Sequence, residues 1–481
     1  MSSCNYEEVR NDINCEEHPK VSIQSVLKQV FIASSVWMQY FMAGMCVGAP
    51  TVFIPQIRKE TNSTTIIDDE MGSWLYSTSG FAMYPWIFIL PFMTSRFGRK
   101  LPQLATSVCT TATFIILYFS QNPYHILISE VLQGFVYAGN ITIRILITTE
   151  YTSIKFRGLF LSIKSASFFW GIWVANAIGT YFYWKNIAIV GFICSIYTFN
   201  VIFWPESPFW LASKDRFDEC KASYRWIHGY SARSEKKLQD MISWYIDKND
   251  DVNLFRMVKD KEFYKPILLC VSTVIQYHFS GKVICSLYIL DILKSFTNDT
   301  ATAYMSMLIL DGLSVFGMYF GSYLSKILKR RTLYMSSSFT GLFFLFIISL
   351  YLYLVRFSVV TQNNYITIGL LAIYTISISC GPMILCLSIY GEIIPLKYQL
   401  SSYMITGLTF TIFFSSLVKF TPSIFTAFGI HGTFLFYFIT FGVCTVYLYI
   451  YMPETKNRTH KEIALFFKHD NTKIVERSPL N

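Results

Sequence analysis

The strongest constraint in the sequence is a series of apolar segments, each about as long as a helix that crosses a bilayer. A spanning helix needs about 20 mainly apolar residues, and the 481-residue chain contains twelve such segments. Only 15% of the residues are charged, whereas soluble domains carry about 25%. We therefore predict an all-α membrane protein with twelve transmembrane helices. The predicted spans are residues 29–50, 72–94, 101–120, 124–147, 159–182, 187–204, 266–290, 301–324, 332–355, 364–390, 401–418 and 430–452.

The polar residues between the spans predict the orientation of the chain. If both termini are cytoplasmic, most of the 40 lysines and arginines fall in cytoplasmic stretches, as the positive-inside rule requires. Two glycosylation sequons, at Asn62 and Asn298, then fall in external loops. The predicted organisation is a cytoplasmic segment at 1–28, a six-helix bundle at 29–204, a cytoplasmic helical linker at 205–265, a second six-helix bundle at 266–452 and a cytoplasmic tail at 453–481.

Several other classes of protein do not fit the sequence. The net charge of +10 lies in short blocks between apolar segments, which argues against a nucleic-acid partner. The 11 cysteines have no paired spacing and lie mostly in apolar segments, so we expect free thiols and no metal site. The polar, partly acidic N-terminus does not resemble a cleavable signal peptide. No phosphate-binding loop, nucleophile elbow or dinucleotide fingerprint is present, so we expect neither a cofactor nor an enzymatic activity.

Three short motifs occur twice, in the same order, and indicate an internal repeat. Glu150 begins Glu-Tyr-Thr-Ser-Ile-Lys-Phe-Arg, and Glu392 begins Glu-Ile-Ile-Pro-Leu-Lys-Tyr-Gln. The other pairs are residues 96–100 with 326–331, and residues 205–208 with 453–456. We predict two pseudo-symmetric halves in parallel, which enclose a substrate site near the bilayer midplane and rock around it.

These motifs resemble those of the sugar porter branch of the major facilitator superfamily, particularly its insect trehalose-transporter-like members. The resemblance extends from about residue 25 to residue 466. It implies the major facilitator fold and facilitative transport of a sugar, a hexose or trehalose, by alternating access across the plasma membrane. It implies no partner beyond the small-molecule solute and the lipid bilayer, and a monomer is the default.

The resemblance also implies a gating network at the cytoplasmic helix ends, in which charged residues pair across the two bundles. The alternative is that these charges only anchor helix ends at the membrane interface. The network comprises Arg96, Arg99, Glu150, Arg157, Glu206, Arg330, Glu392 and Glu454. The second half departs from the family pattern, because Lys329 replaces a glycine and Gln399 replaces an arginine.

The positions that contact sugar in the family carry other residues here. Ser165 stands at the position of a glutamine in the fifth helix, and Leu387 at that of a tryptophan in the tenth. In the seventh helix only Ser280 and Gly281 of the family pattern remain. The candidate substrate-binding residues are Ser165, Gln276, Tyr277, His278, Ser280, Lys282 and Leu387.

Charged residues inside the predicted spans are further candidates, because an unpaired charge there costs at least about 2.5–3.5 kcal/mol. They are Glu130, Arg144 and Asp311. Two structural explanations compete with a functional role: one is that Lys282 pairs with Asp311, and the other is that Lys164, near a helix end, extends to the interface.

Two other functions remain open. The same fold could carry a different polar or anionic solute, contacted by His278, Lys282 and Arg144, or it could be a receptor that binds without transport. The first span contains no acidic residue to carry a proton, which favours a facilitator over a symporter. Gly44 and Gly48 form a small-residue pair that predicts close helix packing.

Overall fold

The helices of the first half form one bundle of six membrane-spanning segments. A computed structural model of the chain describes residues 22–60, 67–246, 261–297, 299–394, 399–456 and 467, which contain no β-strand. The first bundle comprises α1 (Ile23–Glu60), α2 (Asp69–Ala82), α3 (Tyr84–Phe97), α4 (Lys100–Phe119), α5 (Pro123–Ile141), α6 (Ile143–Tyr151), α7 (Ile154–Tyr181) and α8 (Lys185–Tyr197), followed by a 3₁₀ turn at Thr198–Phe203.

A linker of three short helices follows, and the second bundle comes after it. The linker helices are α9 (Pro208–Ala212), α10 (Phe217–His228) and α11 (Ala232–Ile246). The second bundle comprises α12 (Lys261–Phe279), α13 (Lys282–Leu287), α14 (Ile289–Lys294), α15 (Thr300–Ile327), α16 (Arg330–Arg356), α17 (Asn364–Ile378), a π turn at Ser379–Met383, α18 (Ile384–Ile393) and α19 (Gln399–Tyr451).

These helices confirm the prediction of twelve membrane-spanning segments. Within the described ranges, ten helical runs are long and apolar enough to cross a bilayer. One of them, Ser401–Tyr451, contains two segments that meet at Gly429, where φ is 69° and ψ is 174°. The remaining segment is the pair α2 and α3, which a break at Met83 separates. Pro85, at the second position of α3, has no N–H to donate to an i−4 carbonyl, so a continuous helix is disfavoured there.

The linker helices pack on the end of the first bundle where α3 ends. They share a small core that includes Trp210, Cys220 and Leu238. The indole nitrogen of Trp210 also donates a hydrogen bond of 3.0 Å to the carbonyl oxygen of Ser95, just beyond the membrane-spanning part of α3. We call this end of the molecule the linker side and the other end the opposite side.

Glycines allow α1 and α7 to pack with their backbones in contact. A Cβ atom on Gly44 would lie 1.8 Å from the carbonyl oxygen of Phe168, and one on Gly171 would lie 1.9 Å from that of Phe41. Side chains larger than hydrogen therefore do not fit at either position. The close packing predicted from the small-residue pair is confirmed. It holds together α1 and α7, which are two of the helices that line the cavity described below.

Candidate functional site: a cavity between the two bundles

A cavity of about 100 Å³, measured as the space open to the centre of a water-sized sphere, lies where the two bundles meet. The fourth segment of each bundle is interrupted beside it, at Thr142 in the first and at the π turn Ser379–Met383 in the second. Thr142 lies about two turns before Glu150, and the π turn ends about two and a half turns before Glu392, so the breaks occupy similar places in the repeat. Interrupted helices at matching places are typical of transporter binding sites. The cavity is lined by Tyr40, Val47, Met83, Tyr137, Asn140, Ile141, Ile145, Ser165, Phe168, Phe169, Val274, Tyr277, Met318, Met383, Cys386, Thr406, Phe410 and Phe414.

The wall of this cavity is mainly aromatic and aliphatic. Two of its three tyrosine hydroxyls already donate to main-chain carbonyls: Tyr40 to Asn140 at 2.5 Å, and Tyr137 to Ala43 at 2.9 Å. The hydroxyls of Ser165 and Thr406 donate within their own helices. A solute with many hydroxyl groups would therefore find acceptor oxygens but few unused donors on this wall.

Two of the predicted substrate-binding residues, Ser165 and Tyr277, line the cavity. Gln276 lies in the core of the second bundle, where its amide donates to Thr445 at 2.8 Å and its carbonyl oxygen accepts from Tyr334. His278 is buried behind the wall, with its ring centroid 4.4 Å from that of Phe410. Ser280 donates to the carbonyl oxygen of Tyr277.

A break in the seventh segment explains why these residues do not face the cavity together. Gly281 has φ of +75°, a left-handed conformation that separates α12 from α13. A Cβ atom at this glycine would lie 3.0 Å from the Tyr437 ring. In an unbroken helix, His278 and Lys282 would share one face, because they are four residues apart. The break reorients the chain between them, so they do not. Lys282 is buried and donates to Ser286 at 2.9 Å.

On the opposite side, the two bundles contact each other directly. The hydroxyl of Thr51 donates to the carbonyl oxygen of Leu287 at 2.8 Å, and that of Ser73 donates to the carbonyl oxygen of Lys419 at 3.1 Å. The rings of Tyr76 and Tyr288 also lie 4.7 Å apart. These contacts close the path between the cavity and the opposite side.

At the linker side of the first bundle, several of the predicted network residues come together. Arg99 forms a bidentate ion pair with Glu150, with distances of 2.6 and 2.8 Å. Glu206 accepts the backbone N–H groups of Arg99 at 2.8 Å and Lys100 at 3.3 Å, at the start of α4. A carboxylate is favourable there because the N-terminus of a helix carries partial positive charge.

The resemblance implied that charged residues pair across the two bundles. Arg99 and Glu150 do not pair in this way, because both lie in the first bundle. They lie close together because the α3–α4 turn and the end of α6 meet at one corner of that bundle. Arg96 points away from this corner and is exposed, with its guanidinium 5.7 Å from the Phe97 ring.

The second bundle has a matching carboxylate at its own third segment. Glu454 accepts the backbone N–H groups of Arg330 and Arg331, both at 3.1 Å, at the start of α16. The guanidinium of Arg330 reaches the first bundle, where a Cβ atom on Gly158 would lie 3.3 Å from its Nη2. Arg157, next to this glycine, donates to the carbonyl oxygen of Thr149 at 2.9 Å.

Four predicted residues lie outside this description. The sequon asparagines Asn62 and Asn298 are not among the described residues. Leu387 and Glu392 lie in α18, and the structure does not describe their side chains. Within the described part of the chain, no group of three His, Cys, Asp or Glu residues could hold a metal ion.

A family model described as "Sugar (and other) transporter" matches residues 87–467. The chain belongs to this family. Among its relatives, the facilitated trehalose transporter Tret1 of Apis mellifera ligustica is 23% identical over 448 residues, covering 91% of this chain and 88% of the relative. Tret1 of Bombyx mori is 24% identical over 392 residues, covering 80% and 77%.

Solved structures support the same fold. The proton:xylose symporter XylE, bound to 6-bromo-6-deoxy-D-glucose, matches this transporter with a TM-score of 0.75 and 13% identity, over 90% of this chain and 99% of the other. An inward-open XylE structure matches with a TM-score of 0.69 and 12% identity, over 91% and 99%. This transporter is therefore an all-α, multi-pass membrane protein with the major facilitator fold.

One buried hydrogen bond to a carboxylate links the two bundles of this transporter. Asp311, on α15, accepts a hydrogen bond of 2.7 Å from the amide of Asn176, on α7. It also interacts electrostatically with Lys282. The pairing of Lys282 with Asp311, one of the two structural explanations offered from the sequence, therefore stays a prediction, because the two groups interact electrostatically and form no hydrogen bond with each other among the described contacts. Both charges lie outside the lining of the cavity.

The remaining buried charges lie in the first bundle. Glu130 is 5% exposed and interacts with the hydroxyl of Ser79. Arg144 is fully buried and hydrogen-bonds only to uncharged groups among the described residues, which include the carbonyl oxygens of Val136 and Gln39. The place of Lys164 in the sequence suggested that its side chain extends to the interface. This expectation is wrong, because the side chain is fully buried.

The sequence-based analysis missed most of the residues that form the cavity wall. Tyr40, Asn140, Phe168 and Phe169 were not candidates, because aromatic and amide residues are common on every face of such helices. Ser165 and Tyr277 are the predicted substrate-binding residues whose described side chains do line the cavity.

Proposed function

We propose that this transporter is a facilitator that moves a sugar, a hexose or trehalose, down its gradient across the plasma membrane. Both termini and the linker are then cytoplasmic, and the opposite side is external. The observation that carries the proposal is the cavity between two pseudo-symmetric bundles, closed towards the external side. Relatives whose names describe trehalose transport, over 91% of the chain in one case, support the sugar as solute.

Alternating access requires contacts that break when the bundles rock. On the external side these are the hydrogen bonds from Thr51 to Leu287 and from Ser73 to Lys419. On the cytoplasmic side the contact of Arg330 with Gly158 crosses the bundles. Each is a single contact, so its loss on opening costs a modest free energy that solvation partly restores.

The ion pair of Arg99 with Glu150 has a different role in this proposal. Because it lies within one bundle, rocking does not have to break it. It holds the end of α6 against the α3–α4 turn, so that the first bundle moves as a unit. The acid-free first span favours a facilitator without proton coupling.

The test is uptake of radiolabelled glucose, fructose and trehalose by cells that express the chain, at two external pH values. We expect saturable uptake of at least one sugar that does not change with pH. A double variant, Ser73→Cys with Lys419→Cys, should block uptake under oxidising conditions and recover it after reduction. Each single variant is the matched control.

The outcome that would contradict the proposal is absence of uptake and of counterflow while the protein is at the cell surface. That result would favour the receptor hypothesis. Uptake that rises as the external medium becomes acidic would instead contradict the facilitative mechanism.

A further inference from the structure

Two cations are buried side by side in the first bundle with no carboxylate partner among the described side chains. Arg144 and Lys164 are both fully buried, and they interact with each other electrostatically. An unpaired charge in a membrane costs at least about 2.5–3.5 kcal/mol, and two like charges together cost more. Such an arrangement is unfavourable unless another group compensates it.

Arg144 has only uncharged hydrogen-bond acceptors within the described part of the chain. Its Nη1 donates to the carbonyl oxygen of Val136 at 2.9 Å and to the side-chain oxygen of Asn140. Its Nη2 donates to Gln39 at 3.1 Å. Its Nε has no hydrogen-bond partner. Neutral oxygens hold the guanidinium in place and leave its charge uncompensated.

Lys164 is still less well satisfied. Its Nζ makes no hydrogen bond to any described residue, and it lies 4.8 Å from the centroid of the Tyr40 ring. A cation–π contact supplies only part of what an ammonium loses on leaving water. The nearer carboxylates in sequence are engaged elsewhere, since Glu150 pairs with Arg99 and Glu130 interacts with Ser79.

The second bundle provides an internal comparison. Its buried lysine, Lys282, has a hydrogen bond to Ser286 and a counter-charge in Asp311. Among the described side chains, the fold therefore supplies a counter-charge for one buried ammonium and none for the other. The difference indicates that the partner of Lys164 and Arg144 comes from outside the protein.

Both cations adjoin the central cavity. Tyr40 covers the ammonium of Lys164 and also lines the cavity, as does Cys386 of the second bundle, with which Lys164 interacts. Asn140, which holds Arg144, is a third lining residue. The Tyr40 ring separates the ammonium from the cavity, so the ammonium reaches the wall only if the hydrogen bond of the Tyr40 hydroxyl to Asn140 breaks.

We propose that the solute carries a carboxylate, which binds between Lys164 and Arg144 while the rest of the solute packs against the aromatic wall. The inference rests on the proposed transport function, because it uses the same cavity, and it replaces the uncharged sugar of that proposal with an acidic solute. A sugar acid and a non-sugar carboxylic acid would present the same group, and the experiment distinguishes them.

The test measures binding to the purified full chain in lipid nanodiscs, from the rise of the melting temperature with ligand concentration. The probes are glucuronate and phenylacetate, with the uncharged glucose and phenylacetamide as their counterparts. We expect at least one carboxylate to bind about ten- to a hundredfold more tightly than its uncharged counterpart, as charge-assisted hydrogen bonds predict. Preference for glucuronate identifies a sugar acid, and preference for phenylacetate identifies a non-sugar acid.

Variants assign the binding to the two cations. Lys164→Met and Arg144→Met should each lose the preference for the carboxylate, and Lys164→Arg should retain most of it. Lys185→Met is the matched control, because Lys185 lies away from the cavity and donates to the carbonyl oxygen of Ser120. If Lys164→Met fails to fold, the comparison of charged and uncharged probes on the unaltered chain decides.

Two results would overturn the inference. One is no binding of either carboxylate by the unaltered chain, and the other is carboxylate binding that survives both methionine variants. If glucose or trehalose is taken up while neither carboxylate binds, this inference fails and the sugar facilitator stands. If a carboxylate binds and no neutral sugar is transported, the inference holds and the solute proposed above is replaced.

Discussion

Replacement of Gly44 by alanine tests how rigidly α1 and α7 are held together. The new Cβ atom would lie 1.8 Å from the carbonyl oxygen of Phe168 and 3.2 Å from the Cα of Gly171. Non-bonded heavy atoms pack at about 3.5–4.0 Å, so the two helices must separate by more than about 1 Å. Both partners are backbone atoms, and no change of side-chain rotamer can relieve the overlap.

The expected cost follows from the extent of this contact. Overpacking a filled core costs about 1–3 kcal/mol, occasionally more. Because α1 has to move against α7 as a whole, we expect about 3 kcal/mol or more of lost stability for Gly44→Ala. The measurement is the apparent melting temperature of the purified protein at a fixed heating rate, since membrane proteins of this size unfold irreversibly.

Gly369→Ala is the matched control for this substitution. Gly369 lies inside α17, and a Cβ atom there meets nothing within 4 Å. Alanine in a helix interior is more favourable than glycine by about 1 kcal/mol, so this variant should melt at or above the temperature of the unaltered protein. If Gly44→Ala melts no lower than Gly369→Ala, the backbone contact between α1 and α7 is not as close as described.

Two further substitutions test other contacts. Lys282→Met leaves Asp311 buried without its counter-charge, which should lower the free energy of unfolding by about 3–5 kcal/mol. The melting temperature should recover when Asp311→Asn is added. A failure to recover would show that the two charges are not coupled. In the linker, burial lowers the pKa of His228 from 6.5 to about 4, with a smaller contribution from Lys237. The neutral imidazole is therefore the docked form, and the stability of α10 should fall as the pH drops from about 6.5 towards 4, by about 2 kcal/mol at pH 5. Hydrogen exchange in α10, normalised to the intrinsic rate at each pH, should increase between pH 7 and pH 5 and lose this dependence in His228→Asn; equal behaviour of the two proteins would contradict the assignment.

The membrane-spanning segments could be predicted from the sequence because bilayer thickness fixes their length. The paired motifs predicted the two halves for a similar reason, since each motif lies at a helix end that the repeat reproduces. Local breaks were less accessible. Neither the interruption at Met83 nor the left-handed Gly281 alters the apolar pattern that identifies a span.

The cavity was harder to predict than the helices around it. Which side chains line it depends on the rotation of each helix and on contacts between residues far apart in the sequence. His278 and Lys282 are polar residues in an apolar span, which made them candidates, yet the break at Gly281 directs them elsewhere. Lys164 lies seven residues after Arg157 at a helix end, which suggested that it reaches the interface, yet its side chain is fully buried.

The carboxylates of Glu206 and Glu454 have a mechanical consequence. In each bundle, the chain that leaves the sixth segment is attached to the start of the third, because its glutamate carboxylate accepts hydrogen bonds from two backbone N–H groups there. A force on the linker is thereby shared between two helices that are distant in sequence, and it does not separate the sixth helix alone from the bundle. A movement of the linker can therefore displace a whole bundle. The strain that arises in the linker during each transport cycle is then transmitted to the bundle and does not unfold a single helix end.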